Sequence, residues 1–203
     1  MNIRYFLEGF LLGLAYVAPI GMQNMYVINT AVRSRRLRAF QVALITSFFD
    51  ISLALACFFG IGLVLSGLPV LRNIVLAVGC IAVVYIGIGL IRSKPDISDN
   101  RNTDEPLLKV AAICFAVTWI NPQAIIDGTL LLGGFRAALP AAYSNIFILG
   151  SAAASLSWFL ILTAVVSIFR SMIGPRTLRV INIICGSTII LYGFRLGWSL
   201  VGK

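Results

Sequence analysis

From Ala39 to Ser66 the chain carries one charged residue, Asp50. Several other apolar runs also exceed the roughly 20 residues that cross a bilayer. In hydrocarbon the backbone must satisfy its own hydrogen bonds, so runs of this length read as helices. The composition agrees. Of 203 residues 60% are hydrophobic and 11% charged, too few charges to cover a soluble domain of this size. The expectation is a single integral membrane domain over 1–203, all-α and polytopic, with no soluble domain attached.

Six transmembrane helices are expected at about 4–31, 39–66, 70–92, 108–134, 141–168 and 178–199. The first resembles a signal peptide in its small-residue stretch Ala15-Tyr16-Val17-Ala18. Little positive charge precedes that stretch, Pro19 follows it, and the apolar run continues to Val32, so an uncleaved helix is expected. Eleven basic residues fall in loops one, three and five, against five on the opposite side. The bias puts those loops in the cytoplasm and both termini outside. The polar loop 93–107 reads as a flexible linker between half-repeats at about 1–92 and 108–203.

Two spans contain a helix breaker beside polar groups. One reads Pro19-Ile20-Gly21-Met22-Gln23-Asn24 and the other Asn121-Pro122-Gln123-Ala124-Ile125-Ile126-Asp127. Pro19 and Pro122 are 103 residues apart, as are Asn24 and Asp127, and Arg33 and Arg136. Later in each half, Leu71, Arg72, Gly79 and Tyr85 match Leu178, Arg179, Gly186 and Tyr192 at a spacing of 107. Three spans per half is an odd number, so the halves insert in opposite senses. The fold expected is a 3+3 inverted repeat with helices 1 and 4 broken. Paired broken helices in corresponding halves point to a transporter's substrate site.

Proline lacks an amide hydrogen and obstructs the preceding turn, so carbonyls near Pro19 and Pro122 need other partners. Gln23, Asn24 and Asn121 are candidate partners. Freed carbonyls also suit a substrate ammonium, and half-helix amides suit a carboxylate. A plain proline kink is the structural alternative at each position. Asp50 and Asp127 are acids inside apolar spans. Such a charge costs about 2.5–3.5 kcal/mol on insertion scales and usually faces a cavity or a partner. Cation binding or proton coupling is the functional reading. Pairing with Arg72 or a backbone donor is the structural one. Gly21, with Gly9 and Gly13, suits close helix packing. Trp119, Trp158 and Trp198 suit substrate cages or interface anchors; Trp198 reads as an anchor and Trp119 as a further site candidate.

Several chemistries are excluded. The chain has no histidine, which removes His metal sites, His-dependent triads and imidazole relays. Cys57, Cys80, Cys114 and Cys185 are scattered singly and read as small buried hydrophobes. No cofactor or metal is expected. The net charge of +9 sits in short loops beside apolar spans, which argues against nucleic acid as a partner.

At these residues the chain resembles the lysine/arginine exporter family of bacterial inner-membrane proteins. The resemblance rests on Pro19-Ile20-Gly21-Met22-Gln23-Asn24, on Thr118-Trp119-Ile120-Asn121-Pro122 with Asp127, and on Asp50. It covers essentially the whole length. It implies export of amino acids, typically basic ones, driven by the proton gradient or the membrane potential, from a multi-pass position in the inner membrane. The substrate-binding residues it implies are Pro19, Gly21, Gln23, Asn24, Asp50, Asn121, Pro122 and Asp127. Met22 departs from the smaller residue or proline expected there and leaves side-chain selectivity open. The broader superfamily includes exporters of neutral amino acids and other small solutes. Related thiol–electron carriers would need cysteines near both breaks, and none stands there. A coupling proton and a homodimer stay open. The rival readings are an intramembrane aspartyl protease, whose signatures Asp50 and Asp127 do not match, and a non-transporting scaffold, which leaves the paired breaks unexplained.

Overall fold

A computed structural model describes residues 3–60 and 106–170 continuously, with scattered helical positions at 77–92 and 176–194. All regular structure among the described residues is helical. The first expected span is two helices, α1 (Ile3–Val17) and α2 (Met22–Arg33). The second is α3 (Arg36–Phe59). The fourth begins as α4 (Leu107–Trp119) and resumes as α5 (Pro122–Gly128). It continues through a π-helical turn at Thr129–Gly133 into α6 (Gly134–Ala138). A 3-10 turn at Ala141–Tyr143 leads into α7 (Ser144–Phe169), the fifth span. Most of the expected third and sixth spans, the linker up to residue 105, Leu71, Arg72, Gly79, Leu178, Tyr192, Trp198, Cys80 and Cys185 lie outside the described residues.

Two helices among the described residues are long and apolar enough to cross a membrane, and the two bent pairs bring the number to as many as four. The α1–α2 pair bends by 78° and the pair that begins with α4 by 58°. Both bends fall where the sequence places its prolines. The last amide bond of the first helix runs from Ala18 N to Leu14 O, and the next helix starts with Met25 N on Gly21 O. Between them Pro19 has no N–H to offer, so the ladder stops.

α3 ends at Phe59, short of the expected 66. Gly60 takes a left-handed conformation (φ 112°, ψ 23°) and closes the helix, its N–H bonded to Ala56 O. Any side chain is strained there, so Gly60→Ala is expected to cost about 1 kcal/mol. Thermal unfolding in detergent would register this as a small drop in midpoint.

The helices pack with a definite sense. Between α3 and α7, Phe58 stacks on Phe147 and Asp50 meets Ser155, while Ala39 clusters with Val166, so the two run antiparallel. Between α3 and the fourth span, Thr46 meets Cys114, Ser52 meets Trp119 and Cys57 meets Ile125, so these run parallel. α1 lies along α7 at backbone-contact distance. A Cβ on Gly9 would strike the Phe147 carbonyl, and one on Gly150 would strike that of Phe6. Gly13 faces Ser151 and Ala154 in the same seam. Glycine there lets the two backbones touch, which is how helices gain contact where no hydrophobic effect drives them together.

Candidate transport site

The two breaks meet. Gln23, just after the first, donates from Nε2 to Thr118 Oγ1 at 2.9 Å, just before the second. Tyr16, just before the first, reaches Ala124 O at 3.5 Å, just after the second. Each broken span is therefore braced on both sides of the other's interruption, with the two running in opposite directions.

Asp50 sits beside this crossing. It is 1% exposed. Its Oδ2 accepts from Ser155 Oγ at 2.6 Å, and Gln23 lies beside the same carboxylate. Its Oδ1 is buried with no hydrogen-bond partner in the protein. A buried acceptor left open is costly and is normally met by water, an ion or a ligand. Asp127, half-buried in α5, accepts at Oδ1 from Gln123 Nε2 at 2.7 Å.

The remaining sequence candidates occupy distinct places. Asn24 is 3% exposed and donates from Nδ2 to Val17 O (3.0 Å) and Pro19 O (2.7 Å). It thus satisfies the carbonyls released at the first break, while its Oδ1 accepts from Trp158 Nε1 at 2.9 Å. Asn121 caps α5, its Oδ1 accepting from Gln123 N at 3.2 Å, with Pro122 at the first helical position. That pairing needs no amide from the proline. Pro19 is exposed at the bend, and a Cβ added at Gly21 would meet only Pro19 O, at 4.0 Å. The two prolines are therefore not equivalent: Pro19 lies within its break and Pro122 opens the helix after its own. Trp119 donates to Ser52 Oγ at 3.0 Å, which anchors the end of α4 on α3.

Sequence reasoning missed Tyr16, Thr118, Gln123 and Ser155. Gln123 was legible in principle, since it stands four residues before Asp127 on one helix. The others reach their partners across 95 residues or more and have no local signal. Two small contacts close the site. Gly128 abuts Cys57 Sγ, 2.9 Å from an added Cβ, and Cys57 lies 3.7 Å from Ile125 O. The π-helical turn follows at once, a feature that often marks functional sites. Among the described residues no cluster of three or more His, Cys, Asp or Glu is placed to hold a metal.

A family model described as LysE type translocator matches residues 14–199, a range that takes in both breaks. The chain is 30% identical to the arginine exporter protein ArgO of Salmonella paratyphi A, over 96% of this chain and 93% of that protein. The proteins of the same name from Salmonella enteritidis PT4 and Salmonella gallinarum match to the same extent. No solved structure matches the chain.

Proposed function

The chain belongs to the LysE type translocator family, and from that premise we propose that it exports a basic amino acid, arginine or lysine, by alternating access across a bacterial inner membrane. The observation that carries this reading is the crossing of the two breaks beside two intramembrane carboxylates. A guanidinium or ammonium side chain finds its counter-charge at Asp127 and at the open Oδ1 of Asp50. The same carboxylates can exchange that cation for a proton, which is how a pH gradient would drive the cycle. Gln23 and Tyr16 connect the two broken spans at this depth and so sense movement of one half against the other.

The packing directions support six spans in a 3+3 inverted repeat. The broken spans lie antiparallel, as inverted halves require. The second and fourth spans run parallel, as an odd number of crossings between them requires. That leaves room for a third span in the first half and, by the repeat, a sixth in the second.

Transport in proteoliposomes tests the proposal, with labelled arginine, lysine and neutral amino acids under an imposed pH gradient or potential. Gradient-dependent movement of arginine or lysine is the expected result. Movement of neutral amino acids alone would remove the cation-binding role of the acids. No movement of any amino acid would overturn the reading in favour of another solute or a scaffold.

A further inference from the structure

We propose that Trp158 is a positioning residue of the transport site, one that sets the first helix break at a fixed distance from Asp50. α1 ends at Val17 and the chain turns away at Pro19, so the carbonyls of both residues lose the amides a continuous helix would give them. Asn24, in the first turn of α2, donates to both. Its two N–H groups are thereby used, and the remaining oxygen accepts the indole N–H of Trp158 at 2.9 Å. With its amide committed this way and 3% of its surface exposed, Asn24 builds the break rather than waiting for a ligand.

Trp158 stands three residues after Ser155 on α7, so both project from one side of that helix. Ser155 holds the Asp50 carboxylate at 2.6 Å. One turn of an unbroken helix therefore grips the break with an indole and the acid with a hydroxyl. α7 is the natural ruler for this purpose. It is 26 residues long without interruption, whereas the bent span holds its own angle only through the Asn24 amide, whose oxygen α7 secures. The second break is tied to a long helix in a similar way, by the Trp119 indole on Ser52 of α3.

Trp158→Phe keeps an aromatic ring at the position but removes the N–H together with the five-membered part of the indole. It leaves the buried Asn24 oxygen unpaired, a loss that corresponds to roughly a tenfold change in an equilibrium. Two measurements separate this proposal from the export reading on which it rests. The first needs no substrate. Amide hydrogen exchange across residues 18–25 is expected to speed up about tenfold in Trp158→Phe, with α3 unchanged. Unchanged exchange at 18–25, or an equal rise in every helix, overturns the positioning role. The second measures transport. The half-saturating arginine concentration is expected to rise about tenfold in Trp158→Phe and to recover in Trp158→His, whose ring retains an N–H. A lower maximal rate with an unchanged half-saturating concentration would mean less folded protein and would overturn the proposal. The Asn24→Ala/Trp158→Phe double variant is expected to be no worse than Asn24→Ala, because the two act through one bond. Losses that multiply would also overturn it. A local exchange change in a protein that moves no amino acid would retain the positioning role and reject the export reading.

Discussion

Asp127→Asn is expected to abolish export of arginine or lysine while the amount of protein in the membrane stays normal. The substitution keeps the shape of the side chain, so a partner for Gln123 Nε2 survives in the Asn carbonyl. Insertion does not suffer, because a neutral amide replaces a charge whose placement in a span costs about 2.5–3.5 kcal/mol. What is lost, on the proposed reading, is the counter-charge for the substrate. Removing one partner of a buried charge pair costs about 2–5 kcal/mol, on the order of 30-fold or more in rate or affinity. Asp50→Asn is expected to act likewise: Ser155 keeps an acceptor, but the open Oδ1 no longer bears charge. Initial rates in proteoliposomes, normalised to reconstituted protein, provide the measurement. Wild-type rates in Asp127→Asn would remove the acid from the mechanism.

Gly150→Ala and Gly9→Ala are expected to be the most damaging single methyl additions in the described part of the chain. Each new Cβ would fall on a backbone carbonyl of the facing helix, that of Phe6 and that of Phe147 respectively. A flexible side chain can swing away from such an intrusion, but a carbonyl inside a helix cannot, so α1 and α7 must separate along their length. Overpacking a core costs typically about 1–3 kcal/mol, and a backbone clash belongs at or above the upper end. The loss extends to the site, since α7 carries Ser155 and Trp158 and α1 carries Tyr16. Gly134→Ala is the matched control: nothing lies within 4 Å of its added Cβ. Size-exclusion profiles after graded heating in detergent would show early loss of the folded peak for the first two variants and none for the third. Equal behaviour of all three would refute close packing of α1 on α7.

The chain's class was legible because the constraint is chemical. Long apolar runs leave a membrane helix as the expected form. The positions of the two breaks were legible for a related reason. Pro19 and Pro122 lack an amide hydrogen, and polar side chains stand beside both: Asn24 donates to the freed carbonyls, whereas Asn121 accepts from Gln123 N and caps the next helix. Even here the reading was coarse. The matched spacing suggested equivalent prolines, yet one lies inside its break and the other begins a helix under an Asn cap. The π-helical turn after Gly128 had no sequence signal, because the glycines near it suit ordinary close packing equally well.

The sequence by itself determined a membrane-spanning all-helical chain, two interruptions at corresponding places, and two acids in apolar surroundings. Each of these depends on what one residue's backbone or side chain can do alone. Tertiary structure decided which groups meet: Ser155 on Asp50, Trp158 on Asn24, and Gln23 and Tyr16 across the opposing break. Those pairs are separated by 95 to 134 residues. Their meeting depends on helix directions and on how closely α1 and α7 approach, and packing sets both through contacts spread over whole helices rather than through any local signal.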